Sequence, residues 1–221
     1  MRDPSLLRQD HTVKIICVGR NYAEHAAELG DEPPAEPLIF GKFPSTLIGP
    51  GEPIVIPPEA THVDAEAELC VEIGVGGRRI PVERALDHVR GYRCANDVSA
   101  RNIQYSESQW TRAKGFDTFC PLGDRLAPLS ELGDGSGLQV VQRLNGEVLQ
   151  DGNTADLIFP VPVLVAFVSD VFTLEPGDLI LTGTPPGVGY ARDPKISLKP
   201  GDTVEVEVEG IGVLSNPVVA A

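Results

Sequence analysis

Glu66 and Glu68 stand two residues apart in the stretch Asp64-Ala65-Glu66-Ala67-Glu68-Leu69-Cys70-Val71-Glu72-Ile73-Gly74. Side chains alternate across a strand, so the two carboxylates point the same way at roughly 7 Å, within reach of one ion. Like charges aligned this closely repel, and Glu is a poor strand former, so something must compensate. Two readings compete: a solvated acidic strand face, or a divalent cation held between the carboxylates. Asp97 offers a third ligand, because it follows one expected strand and precedes an expected helix. Its alternative role is a simple helix N-cap. Oxygen-only ligation by Glu66, Glu68 and Asp97 suits Mg2+ or Mn2+, and suits Ca2+ less well because three carboxylates underfill it. Three protein ligands on an octahedral ion leave positions for water and substrate, as a catalytic site requires.

His25 and Glu28 are three residues apart, hence on one face of a short helix. A carboxylate beside an imidazole orients it and raises its basicity, the pairing that activates water. An incidental surface pair is the competing reading. Cations for an anionic substrate are Arg101, Lys114 and Lys42, with Gln104 sharing a helix face with Arg101; solvated surface positions are the alternative. The Gly-rich run Thr182-Gly183-Thr184-Pro185-Pro186-Gly187-Val188-Gly189 offers backbone N–H groups to a carboxylate, and Thr184 adds a hydroxyl. It lacks a Walker lysine and opens no clear helix, so it is not read as a phosphate loop.

The elements that must position these groups follow from periodicity. In 64–74 the odd positions are all apolar, which gives a strand with one buried face. Val13 to Val18, Leu38 to Phe43, Ile54 to Ile56, Gly91 to Ala95 and Leu179 to Leu181 read as further strands. Leu138 to Leu149 reads as a hairpin turning at Asn145-Gly146. Val204, Val206 and Val208 alternate with glutamates as a half-solvated strand. Pro162 to Phe172 is apolar nearly all round and reads as a buried helix; Val82 to Val89 reads as a short one. Asn21, with Glu24 three residues on, has a capping-box pattern, and Gly30 is the stop. This short, Ala-rich helix and the linker Asp31-Glu32-Pro33-Pro34-Ala35-Glu36-Pro37 describe a flap that opens more cheaply than the core. Residues 1–12 read as a loosely held extension.

The 221 residues suffice for one sizeable core, and 42% hydrophobic with 23% charged residues is ordinary for a globular protein. A net charge of −14 argues against nucleic acid or an anionic membrane as partners, and requires local cations wherever an anion binds. No apolar run reaches the ~20 residues that span a bilayer and no signal-peptide pattern opens the chain, so a cytoplasmic protein is expected. Cys17, Cys70, Cys94 and Cys120 show no CxxC spacing and read as buried free thiols.

Seven segments in order resemble the fumarylacetoacetate hydrolase superfamily: GRNYAEHAAELG (19–30), LIGPGEPIVIP (47–57), DAEAELCVEIG (64–74), GYRCANDVSARNIQ (91–104), KGFDTFCPLG (114–123), LNGEVLQDGNT (144–154) and LEPGDLILTGTPPGVG (174–189). The length is similar to short single-domain members such as acylpyruvases, oxaloacetate decarboxylases and hydroxyheptadienedioate isomerases. The resemblance implies an α+β, β-rich mixed β-sandwich roll, usually dimeric, forming one catalytic domain over 1–221 with a mobile lid around 19–37. It implies Mg2+ or Mn2+ on Glu66, Glu68 and Asp97, a water-activating His25–Glu28 dyad, and substrate contacts from Arg101, Gln104, Lys114 and Thr184, with Gly183 in the same loop. Asn102 departs from the aspartate common after Ser-Ala-Arg, which removes a negative charge beside Arg101. The expected activity is C–C hydrolysis of an acylpyruvate, a small anionic 2-oxo acid, with Lys114 assisting at the oxyanion. Competing readings are isomerisation of an unsaturated dioate, decarboxylation or tautomerisation of oxaloacetate, and a non-catalytic metal- or acid-binding protein. Loss of His25 would harm tautomerisation less than hydrolysis.

Overall fold

A computed structural model describes residues 13–221; the N-terminal extension expected over 1–12 lies outside the described residues. In chain order the strands are β1 (Ile15–Gly19), β2 (Leu38–Lys42), β3 (Leu47–Ile48), β4 (Ile54–Ile56), β5 (Val63–Asp64), β6 (Ala67–Ile73), β7 (Val89–Asn96), β8 (Ser99–Ala100), β9 (Cys120–Pro121), β10 (Gln139–Leu144), β11 (Glu147–Asn153), β12 (Leu179–Leu181), β13 (Thr203–Val208) and β14 (Gly212–Ala220). The helices are α1 (Ala23–Glu28), α2 (Arg101–Gln104), α3 (Thr111–Lys114), α4 (Leu129–Leu132) and α5 (Val161–Val171).

Two five-stranded sheets carry the architecture, ordered β2-β1-β12-β6-β7 and β11-β10-β13-β14-β4. Both are mixed, since β1 runs parallel to β12 and β14 parallel to β4. Ile16, Val18, Leu69 and Val71 of the first sheet share one core with Val140, Val206, Val208 and Leu214 of the second, so the sheets pack face to face. Val161, Leu164, Val165 and Val168 of α5 close the same core. This is the α+β, sheet-rich arrangement the sequence implied.

The hairpin forms as its turn chemistry requires, with φ of 53° at Asn145 and 84° at Gly146. The short helix read over Val82 to Val89 forms as a 3-10 helix, Val82–His88. Two local capping readings fail. Asn21 does not cap α1, which starts after Tyr22 with no side-chain cap; its carboxamide bonds Phe159 O at 3.0 Å, Thr182 O at 2.8 Å and Phe159 N–H at 2.8 Å. Asp97 caps nothing either, because Ser99–Ala100 is strand and the helix begins only at Arg101.

Of the two readings of the acidic face, the solvated one is excluded: every β6 residue is buried, as are Asp64 and Glu66 before it. Leu69, Val71 and Ile73 face the inter-sheet core, whereas Cys70 packs with Ile15, Cys17, Cys120, Leu179 and Leu181 on the opposite face. The carboxylates interleaved with Cys70 are therefore inside the molecule and must find partners there.

All four cysteines are free and buried. Burial pushes the thiols of Cys17 and Cys70 well up, Cys120 to about 12 and Cys94 to about 11. We expect none of the four to react with a thiol reagent at neutral pH until denaturant is added, when four equivalents appear. Because the folded values lie above the ordinary 9.0, their contribution to stability is complete below that pH and is lost as pH rises through the folded values. A fast-reacting thiol in the native protein would contradict this.

Candidate active site

Register brings the acidic residues together. β6 pairs antiparallel with β7, matching Ala67 to Asn96 and Glu68 to Ala95, and Asp97 N–H extends the ladder by donating to Glu66 O at 3.0 Å. Glu66 and Asp97 thus face each other across two strands, with Glu68 two residues along, and one oxygen from each of the three carboxylates lies within 4.8 Å of the others.

The charges are unevenly compensated. Lys114 Nζ bridges Glu66 Oε2 at 2.6 Å and Asp97 Oδ2 at 2.7 Å. Lys42 holds Asp97 from behind and donates to Val98 O at 3.1 Å. Arg101, fully buried, reaches Glu66 Oε1 at 2.7 Å and grips Asp64 Oδ2 through Nε and Nη2, both at 3.0 Å. Glu68 receives only the Gly183 N–H, at 2.7 Å; among the described residues no ammonium or guanidinium reaches it. Burial works to raise the Glu66 carboxyl, but Lys114 and Arg101 outweigh it and hold it well below the usual range. Burial, with Asp97 and Glu66 adding repulsion, pushes Glu68 well above it. Burial disfavours the charges of Lys114 and Arg101, yet their carboxylate partners win and raise both. Three convergent carboxylates, all oxygen donors and one lacking a cationic partner, fit a hard divalent ion.

Facing them is His25, 4% exposed, on α1. Its Nδ1 lies 2.7 Å from Glu28 Oε1. A carboxylate there only accepts, so Nδ1 carries the hydrogen, and in the neutral ring Nε2 keeps its lone pair. Glu28 is anchored in turn, its Oε2 accepting the Gly187 N–H at 2.8 Å. Gly187 has φ of 103°, and a Cβ there would meet Leu149 O at 2.3 Å, so only glycine serves.

A cavity of about 240 Å³ is lined by His25, Glu66, Glu68, Asp97, Arg101, Gln104, Lys114 and Thr184 among others. Gln104 Oε1 accepts from Arg101 Nη1 at 2.9 Å, which fixes the carboxamide with its NH2 available. Thr184 Oγ1 donates to Ala67 O at 2.9 Å and accepts from Gln150 Nε2 at 2.7 Å, so it braces the wall. The Gly183 N–H, read as a donor to a carboxylate, is directed to that of Glu68. Asn102 does not act on the Arg101 charge: it donates to Glu59 O at 3.0 Å and accepts from His62 N–H at 3.3 Å, clamping a neighbouring loop. Sequence reading missed Asp64, Gln150 and the outer wall of Arg20, Asp31, Tyr105 and Trp110. Asp64 had a signal, as the first acid of the alternating run.

The family model described as Fumarylacetoacetate (FAA) hydrolase C-terminal matches residues 14–219. The chain is 48% identical over 208 residues to the mitochondrial oxaloacetate tautomerase of Xenopus laevis, covering 93% of this chain and 65% of that protein, just under two thirds of its length. It is similar to the crystal structure of 2-hydroxyhepta-2,4-diene-1,7-dioate isomerase from Mycobacterium marinum, with TM-score 0.84 and 42% identity over 95% of this chain and 75% of that one. Fumarylpyruvate hydrolase from Pseudomonas aeruginosa, solved with Mn2+ and pyruvate, matches with TM-score 0.86 and 33% identity over 95% of this chain and 91% of that one. Fold and cavity together define the class: two packed mixed sheets with an acid-lined cavity. The chain belongs to the fumarylacetoacetate hydrolase family. No helix among the described residues is long and apolar enough to cross a membrane.

Proposed function

We propose that this chain is a Mg2+- or Mn2+-dependent enzyme of small 2-oxo acids whose shared step is an enolate beside the keto group. The observation that carries it is His25, backed by Glu28, lining the same cavity as Glu66, Glu68 and Asp97. Those three carboxylates would hold the ion, which when bound supplies Lewis-acid charge to stabilise the enolate. His25 Nε2 takes the proton, from the carbon next to the keto group in keto–enol interconversion or from water in hydrolysis. Glu28 orients the ring and stabilises the imidazolium that results. Gln104 offers its NH2 to the substrate, and the Lys114 ammonium adds positive charge where the oxyanion develops. α1 and the segment after it act as a lid that excludes water.

Keto–enol interconversion of an oxaloacetate-like acid is the first reading, supported by the 48% identity to an oxaloacetate tautomerase. C–C hydrolysis of an acylpyruvate is the second, supported by the dyad's suitability for activating water and by the 33% identity to fumarylpyruvate hydrolase. Oxaloacetate, acetylpyruvate and an unsaturated dioate, each assayed with Mg2+, with Mn2+ and with EDTA, rank these readings. Metal-dependent loss of enol-oxaloacetate is expected to dominate. No turnover of any of the three with either metal would end the proposal.

A further inference from the structure

We propose that Arg20 sets specificity for dicarboxylates, receiving at the mouth of the cavity the second carboxylate of a 2-oxo diacid. This rests on the reading of the cavity as a 2-oxo acid site. The cavity has a depth gradient. The side chains of Glu66 and Asp97 at its floor are 6% and 1% exposed, whereas those of Arg20 and Asp31 are 33% and 31% exposed. A substrate whose 2-oxo carboxylate lies at the floor therefore extends its far end toward Arg20.

The floor cations are already committed. Lys114 lies between Glu66 and Asp97, and Arg101 holds Asp64, Glu66 and Gln104. Arg20 differs: its carboxylate partner is Asp31, at 2.9 Å in a half-exposed pair. Such pairs are weak, so an incoming carboxylate can take the place of Asp31 on the guanidinium. The other charged groups lining the outer wall are Asp31 and Glu107; Arg112 pairs with Glu107 at 2.7 Å, so Arg20 is the cation that itself lines that end of the cavity.

The backbone holds Arg20 in place at a cost. Its φ is 57°, in the left-handed region that a side-chain-bearing residue seldom occupies. Gly19 before it is pressed by Trp110, whose Cζ3 a Cβ would meet at 2.6 Å, and the guanidinium carbon stands 5.6 Å from the centre of the Trp110 ring. Ring and backbone together aim a planar, two-pronged donor suited to a carboxylate.

The test compares oxaloacetate with pyruvate, which differ by that one carboxylate, in calorimetric titrations of the Mg2+-loaded full chain. The parent should prefer oxaloacetate. Arg20→Gln should reduce that preference about 10- to 100-fold, the worth of a charge-assisted hydrogen bond, mainly by weakening oxaloacetate. Arg20→Lys should restore part of it. Thermal melts of each variant confirm folding. An equal loss for both ligands, or a preference unchanged in Arg20→Gln, overturns the assignment of Arg20 alone. A parent that binds neither ligand overturns the 2-oxo acid reading and this inference with it.

Discussion

Glu68→Gln leaves the metal-free protein about as stable as the parent, whereas Glu66→Gln destabilises it by ~3–5 kcal/mol, although both abolish divalent-ion binding and turnover. The two side chains are two residues apart on one face and would do the same work on the ion. Their surroundings differ. Glu66 sits between Lys114 at 2.6 Å and Arg101 at 2.7 Å, so a neutral amide strips a buried carboxylate from two buried cations. Glu68 has the Gly183 N–H and, among the described residues, no cation in contact, beside two other carboxylates. Gln keeps an oxygen for Gly183 and removes the repulsion. Urea unfolding with EDTA measures the first difference, and Mn2+ titration calorimetry measures the shared loss of binding. Equal destabilisation by the two substitutions would show that Glu68 has a stabilising partner in solution that the structure does not give it. Retained Mn2+ affinity in either variant would remove that residue from the ligand set.

The same contrast shows where sequence is informative and where it stops. Alternation along 64–74 identified the face shared by Glu66 and Glu68, because period two is a property of the strand itself. It said nothing of whether that face met water. That depends on Lys114, 48 residues from Glu66, and on Arg101, 37 from Asp64, which arrive only when the chain folds. Asp97 was recognised as a ligand candidate from its place after a strand, and the β6–β7 register puts it beside Glu66. Asn21 misled because a local capping pattern competed with a tertiary role: its carboxamide joins segments 138 and 161 residues away. The Gly-rich loop was read as a source of N–H donors to a carboxylate, and the Gly183 N–H meets that of Glu68, 115 residues away, a pairing that only the folded chain brings about. Asn102 mattered as a charge change only while Arg101 had no known partner; Asp64 supplies the carboxylate.

His25→Ala is expected to lower acylpyruvate hydrolysis by about 10²–10⁴-fold, the range for loss of a general base, while leaving Mn2+ affinity and the melting temperature close to parental values. Among the described residues the ring's polar contact is to Glu28, and it is not one of the three clustered carboxylates, so its removal should leave the ligand set in place. Glu28→Gln is the milder partner. It retains an oxygen for either Nδ1–H or the Gly187 N–H, but it cannot stabilise an imidazolium as a carboxylate does. The size of the His25 effect also separates the two proposed reactions. Attack by water needs its proton removed as the carbon bond forms, so hydrolysis should fall toward the far end of that range. Keto–enol interconversion moves only a carbon-bound proton already acidified by the neighbouring carbonyl, and bulk water admitted by the missing ring can accept it. That reaction should lie near the small end. Rate measurements on oxaloacetate and acetylpyruvate with one preparation of His25→Ala decide it. If both rates stay at the parental level, the dyad is structural and the proton acceptor lies elsewhere in the cavity.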